Sequence, residues 1–265
     1  MLKYLYKIFE RRRGVSKKFK LGIFSNNTLK IIAAVAMVCD HVGALLFPKV
    51  TILRIIGRLA FPIFAYLIAE GAKHTKNKLR HIIVFASFAA VVQLGYFIFN
   101  PSIEMSVLVT FTLSLLMIYA LDGLKNAFFA VKPSKRKIAL SAALFIGSVW
   151  LAIACDHFLD LDYGLAGAML PLFPAIFTAP RSNAAPAIFK KADTKIVRVL
   201  ATAIGTLGLC YNSHAIQFYA LFSIPLLLLY SEKRGKLKMK YFFYVFYPLH
   251  LVIIYGIGIL IKYFT

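Results

Sequence analysis

Lys30-Ile31-Ile32-Ala33-Ala34-Val35-Ala36-Met37-Val38-Cys39-Asp40-His41-Val42-Gly43-Ala44-Leu45-Leu46-Phe47-Pro48 is an apolar stretch of bilayer length with two ionisable groups inside it, Asp40 and His41. About 20 apolar residues cross a ~30 Å hydrocarbon core as a helix. Similar runs follow at 52–72, 81–99, 103–121, 138–155, 163–179, 196–211, 214–230 and 241–264. Pro171 and Pro174 interrupt the sixth run, and the seventh is short. The expected fold class is all-α: a polytopic integral membrane helical bundle of about nine transmembrane helices.

Composition agrees. Of 265 residues, 60% are hydrophobic and only 16% charged, with mean hydropathy +0.76. A soluble domain is about a quarter charged. These values exclude a disordered chain, a secreted disulfide scaffold and an ordinary cytosolic enzyme. Three cysteines, Cys39, Cys155 and Cys210, lie in or beside apolar runs and define no disulfide framework. No small-residue cleavage site follows the first apolar run, so no cleavable signal peptide is expected.

The net charge of +22 suggests nucleic acid only until its placement is examined. Lys and Arg crowd the N-terminus and the segments 73–80, 122–137, 180–198 and 231–240; only Lys49, Arg54, Arg58 and Lys262 lie elsewhere. The remaining connections are short or acidic, as in Asp156-His157-Phe158-Leu159-Asp160-Leu161-Asp162. Lys/Arg excess marks the cytoplasmic side. Nine helices with a cytoplasmic N-terminus put every basic segment inside and the C-terminus outside. The charge is thus a topology signal facing anionic lipid, and no nucleic-acid partner is expected.

Residues 1–28 form a separate basic segment, and 29–265 form the transmembrane domain. The first nine residues mix aromatic and basic side chains. They read either as an amphipathic helix on the inner surface or as a solvated tail. Asn26-Asn27-Thr28 reads as the cap of the first spanning helix. Cys-Asp-His occurs at 39–41 and again at 155–157, but the flanks differ and no duplication is inferred.

Ionisable groups inside spanning helices are costly and mark candidate sites. Lys30 and His41 are eleven residues apart, about three turns, and so share one helix face roughly 16 Å apart. That stripe suits a long anionic donor such as coenzyme A entering from the cytoplasm; the alternative for Lys30 is an interfacial anchor. Arg54 and Arg58, four residues apart, also share a face. They either pair with Asp40, and Asp156 beside it, or bind a phosphate, carboxylate or developing oxyanion. Asp40 and His41 diverge by about 100°, so Asp40 is expected to serve an Arg and not to orient His41. His41 is the candidate general base. His250, close to Pro248, is either a second site histidine or a donor to a carbonyl that proline frees. Asp156, His157, Asp162 and Tyr163 border a substrate entrance from outside; His214 and Gln217 begin the eighth helix there. No local ligand spacing supports a metal site.

Several of these segments resemble the TraX family. They are Leu29-Lys30-Ile31-Ile32-Ala33, Met37-Val38-Cys39-Asp40-His41, Leu53-Arg54 through Gly57-Arg58 to Ala65, Glu70-Gly71, Asp162-Tyr163-Gly164, and Lys240-Tyr241-Phe242-Phe243-Tyr244 with Tyr247-Pro248-Leu249-His250. The similarity runs from about residue 27 to the C-terminus, in one order. TraX proteins are known for acetylating the N-terminus of conjugative pilin. They are regarded as relatives of membrane acyltransferase family 3, whose first helix carries Lys or Arg, ten residues, then His. Lys30 and His41 match that spacing. The resemblance implies acetyl-CoA as donor, His41 as the essential residue and a multi-pass protein of the bacterial plasma membrane.

Together these readings describe a membrane acyltransferase that passes an acetyl group from cytoplasmic acetyl-CoA to an amine or hydroxyl. The acceptor would be a membrane-associated or exported peptide, lipid or glycan. Lys30 would hold the donor's phosphates, His41 would act as base or acyl carrier, and Asp40, Arg54, Arg58 and His250 would complete the site. Two other classes use the same charges: a transporter, and a non-catalytic partner of a conjugation or secretion system.

Overall fold

A computed structural model describes residues 22–99, 104–182, 184–211, 213–235, 239 and 242–264. The amphipathic helix expected near the start of the chain lies outside these residues. Helix α1 spans Asn26–Leu45. Its cap is Ser25, one residue before the expected trio. Extended backbone at Ser25 (φ −76°, ψ 166°) lets its short hydroxyl accept the Thr28 N–H at 3.2 Å. Leu29, Ala33, Ala36 and Met37 form the buried stripe of α1, at the i, i+4, i+7, i+8 spacing of one helix face.

The run expected as a single second helix is broken in two. Helix α2, Thr51–Gly57, and helix α3, Ala60–His74, meet at Arg58-Leu59. The Arg58 N–H is shared between the carbonyls of Arg54 (3.2 Å) and Ile55 (3.3 Å). Gly57 explains how close α1 comes at this point. A Cβ there would lie 2.4 Å from Asp40 Cβ, so only glycine lets the Asp40 side chain cross the α2 backbone.

Helices α4 (Lys78–Phe99), α5 (Val107–Phe128) and α6 (Lys135–Phe158) follow. α5 is central: its buried Phe111, Leu115 and Ile118 pack against α3. α4 and α6 instead turn Ile83, Val91, Leu94, Leu140, Leu144 and Trp150 outward. Such apolar faces suit lipid and not water. Between them β1 (Glu104–Met105) pairs in parallel with β2 (Asp160–Leu161), with Glu104 opposite Asp160.

Shorter elements complete the bundle: α7 (Gly164–Met169), α8 (Leu172–Ile176), α9 (Ala187–Ala192), α10 (Lys195–Tyr211), a 3-10 helix (Ala215–Phe222), α11 (Ser223–Leu228) and α12 (Phe242–Phe264). Pro171 separates α7 from α8 because it has no N–H to continue the ladder. Among the described residues, six helices are long and apolar enough to cross a membrane, taking Thr51–His74 as one. The chain is therefore an all-α membrane protein. The other three expected spans are helical but shorter; α10, with 17 residues, is about 26 Å long, less than a ~30 Å core.

Contacts gather the basic segments at one end of the bundle. Lys73 meets Asp193 at 2.8 Å, Lys78 meets Asp122, and the Arg181 N–H donates to Asn126 Oδ1 at 2.8 Å. Arg198, buried, pairs with both Glu70 and Glu232. The entry to α1 joins them, since the N–H groups of Ile23 and Phe24 donate to Leu229 O and that of Asn26 to Lys233 O.

Gly57→Ala should force α1 and α2 apart. Overpacking of this kind costs about 1–3 kcal/mol. The thermal unfolding midpoint of the detergent-solubilised variant should fall, whereas alanine at Gly147, which has open space around it, should leave it unchanged.

Candidate functional site

Asp40 is the hub of the opposite end. Its Oδ2 accepts from Arg54 Nη1 at 2.8 Å, and its Oδ1 accepts from Arg58 Nη2. Arg54 Nη1 also reaches the Asp40 carbonyl at 3.2 Å. Both guanidinium groups are thus turned onto one carboxylate, the structural pairing read from the sequence; Asp156 is not the partner. Arg58, 8% exposed, donates through Nη1 to Gln217 Oε1 at 3.1 Å. Buried ions need such partners, because desolvation costs several kcal/mol per charge.

His41 follows on the next face of α1. Its Nδ1 lies 2.8 Å from the Met37 carbonyl. A carbonyl only accepts, so Nδ1 carries the proton and Nε2 is left as the basic nitrogen. His250 repeats the pattern, donating from Nδ1 to Phe246 O at 3.0 Å. The carbonyl it serves is Phe246 and not that of Tyr244, the one Pro248 leaves without its N–H; its ring packs edge-on against His41 with centroids 5.1 Å apart. It is 5% exposed, and its Nε2 has no hydrogen-bond partner among the described residues.

A cavity of about 520 Å³ opens between these groups. Asp40, His41, Arg54, Arg58, Asp162 and Tyr163 all line it. Its mouth carries the exposed Glu104, Asp160, Asp162 and His214, so the cavity faces the acidic end. Loop backbone is pinned here. The Asp162 N–H donates to Met105 O at 3.2 Å, and Thr110 Oγ1 donates to the Asp162 carbonyl at 3.0 Å. Tyr163 adopts left-handed backbone, φ 63°, and lays its ring on Phe61 with centroids 3.9 Å apart. The Arg58 guanidinium lies 5.9 Å from the same ring, within cation–π range. Although Asp162 is solvent-accessible as a residue, desolvation of its carboxyl by the surrounding wall pushes its pKa up to about 7, and nearby Arg58 pulls the other way.

Other expected residues fall outside this wall. Lys30 sits at the basic end, where it shares its surroundings with Arg234 and His81. Buried Ala33 and Ala34 lie on α1 between it and the cavity, whose wall begins at Met37. His250 backs His41 and does not line the cavity. His157 is exposed and packs only on Phe158 among the ring contacts. Asp156 lies behind the wall, where a Cβ on Gly164 would come within 3.2 Å of its Oδ1. Among the described residues no cluster of three or more His, Cys, Asp or Glu is placed to hold a metal.

Sequence reasoning missed Glu104, Asp160 and Tyr96 as wall residues and gave Gln217 no role. Tyr96 hydrogen-bonds Tyr247 in the wall. Gln217 carried one signal: an amide at the apolar start of a helix. Glu104 and Asp160 carried none beyond lying in short connections.

With this geometry in view, the chain can be compared with known proteins. Residues 25–258 match the family described as TraX protein, and the chain belongs to that family. It is 25% identical over 252 residues to a probable fimbrial assembly protein FimC, serogroup H1, of Dichelobacter nodosus, an alignment that covers 87% of this chain and 94% of the relative. An uncharacterized protein of Rickettsia prowazekii (strain Madrid E) is 32% identical over 102 residues, 38% of this chain and 39% of the relative. No solved structure matches the chain.

The raised pKa of Asp162 has a stability consequence. Between about pH 4 and 7 the folded carboxyl holds a proton that the unfolded one, near 3.8, has lost. Wild-type stability should therefore fall as pH rises through this window and level off above 7. Asp162→Asn should flatten that slope in unfolding midpoints recorded against pH.

Proposed function

We propose that this chain is a membrane acyltransferase, with acetyl-CoA as donor and an amine or hydroxyl on a membrane-associated or exported acceptor. One observation carries the reading. His41 presents a basic Nε2 beside a cavity whose far wall is a bound pair of guanidinium groups. A positioned imidazole is worth about 10²–10⁴ in rate as a general base. Cations and amide donors in a shielded cavity stabilise a developing oxyanion. Tight pairing of Arg54 and Arg58 with Asp40 gives that wall a fixed geometry, which is what preorganisation requires.

In this reading the acceptor enters by the acidic mouth, where Glu104 and Asp160 attract an ammonium group, which gives up a proton to solvent there. It reaches His41 as a free amine, and Nε2 takes a proton as nitrogen attacks the thioester carbonyl. The C–N bond forms, the C–S bond breaks, and the departing thiolate receives that proton. His250, packed against His41, holds the ring in place. The donor's phosphates would stay at the basic end with Lys30 and Arg234, which is taken as cytoplasmic. A route past Ala33 and Met37 would then have to open. An acyl-histidine intermediate at His41 fits this arrangement, because donor and acceptor need not be bound together.

The name of the Dichelobacter relative favours a fimbrial or pilus subunit as acceptor. It also fits a non-catalytic assembly partner; the enzyme reading draws its support from the placement of His41 beside the cavity. The two readings separate cleanly. Purified protein given radiolabelled acetyl-CoA should hydrolyse it or pass the label to a peptide amine. His41→Ala should reduce that rate by about 100-fold or more, with its unfolding midpoint close to wild type. Full activity in His41→Ala would overturn the catalytic assignment; full assembly function without any acetyl transfer would favour the partner.

Lys30→Ala should raise the KM for acetyl-CoA several-fold and leave kcat nearly unchanged. A phosphate contact far from the reacting carbon contributes to ground state and transition state alike. Steady-state kinetics at fixed ionic strength measures it.

A further inference from the structure

A second cavity, of about 160 Å³, lies at the basic end and shares no lining residue with the first. Ala69 and Ala72 of α3 and Ala175 of α8 line it, and their short side chains leave the space. Three cations, Lys73, Lys125 and Arg181, line it with one acid, Asp122.

The acids around it already hold partners. Asp122 Oδ2 accepts from Lys78 Nζ, and its Oδ1 accepts from Asn126 Nδ2 at 3.0 Å. Asp193 Oδ1 accepts from Lys73 Nζ at 2.8 Å, and its Oδ2 accepts from the Ala179 N–H at 3.2 Å. Carbonyls at the end of α8 would repel an anion. Lys125 Nζ covers them, donating to Ala175 at 2.9 Å, Ile176 at 2.7 Å and Thr178 at 3.0 Å. Its donors are spent there, but its charge remains.

The other two cations keep donors. Lys73 Nζ serves one carboxylate with three N–H groups and is 25% exposed. Arg181 is exposed, and its backbone is fixed by the N–H bond to Asn126 Oδ1. Its side chain donates through Nη2 to Thr75 O at 3.4 Å, while Nε and Nη1 have no partner among the described residues. A guanidinium fork beside an ammonium is the donor set that holds phosphate.

We propose that this pocket binds a phosphate group, with its oxygens accepting from Arg181 and Lys73 in the field of Lys125. The inference goes beyond acyl transfer and does not depend on it. Two sources supply such a group at this end of the bundle, a soluble nucleotide and an anionic phospholipid. The pocket also adjoins the surroundings of Lys30: Tyr119 lines it, and the Tyr119 hydroxyl lies 2.6 Å from Nδ1 of His81, which feels the Lys30 charge.

Calorimetric titration of the full chain in maltoside detergent, which carries no phosphate, tests this at fixed ionic strength. One arm adds adenosine 3′,5′-bisphosphate, the other short-chain phosphatidylglycerol. At least one probe should bind saturably, and which one does so names the source. Arg181→Gln and Lys73→Gln should each weaken that binding about tenfold. Lys137→Gln, exposed on α6, should leave it unchanged. Where Lys73→Gln lowers the unfolding midpoint, the exposed Arg181 decides. Absence of binding by both probes would overturn the proposal. So would an equal loss in Lys137→Gln and Arg181→Gln, which would mean attraction to the net charge alone. A wild-type protein that binds a probe but transfers no acetyl group would end the acyl-transfer reading and leave this site standing.

Discussion

One carboxylate holds the polar end of this bundle together. Asp40 binds the guanidinium groups of Arg54 and Arg58 across the contact of α1 and α2, and Gly57 removes the side chain that would keep them apart. Two unpaired guanidinium groups in an apolar run would each carry a large desolvation cost. The break between α2 and α3 lies four residues before Pro62, which has no N–H to bond the Arg58 carbonyl, and Arg58 passes a further donor to Gln217. Cavity, wall and loop positions are all built on that node.

The opposite end uses charge differently. Arg198 binds Glu70 and Glu232, and Lys73 binds Asp193. These contacts tie α3, α10 and the segment after α11 into one face. The bundle thus has a basic end closed by ion pairs and an acidic end open to a cavity. A group passed between the two ends must cross the packed α1 face at Ala33 and Met37. His41 lies on the cavity side of that barrier.

Much of this was legible in the sequence. Runs of apolar residues located every long helix, and the rarity of charge inside them pointed to Asp40, His41, Arg54, Arg58 and His250. Helical geometry even assigned Asp40 to the arginines. What escaped was whatever depends on contacts between distant segments. Hydropathy does not show that the helix over 52–72 is interrupted at Arg58-Leu59, because both halves are equally apolar. The wall residues Glu104 and Asp160 come together only through the β1–β2 pair, and Gln217 joins them through an arginine 159 positions away. Lys30 lies, as the helix spacing has it, well away from His41, and of the two only His41 lines the cavity.

The two histidines come from the first and last long helices among the described residues. α1 supplies His41, and α12, which packs on α1 through the cluster containing Tyr247 and Leu251, supplies His250. During synthesis α1 waits in the bilayer until α12 has been inserted. Only then does the imidazole of α1 acquire its neighbour. The completed histidine pair is therefore a late event in biogenesis, and a prematurely ended chain can fill the membrane with helices without ever assembling it.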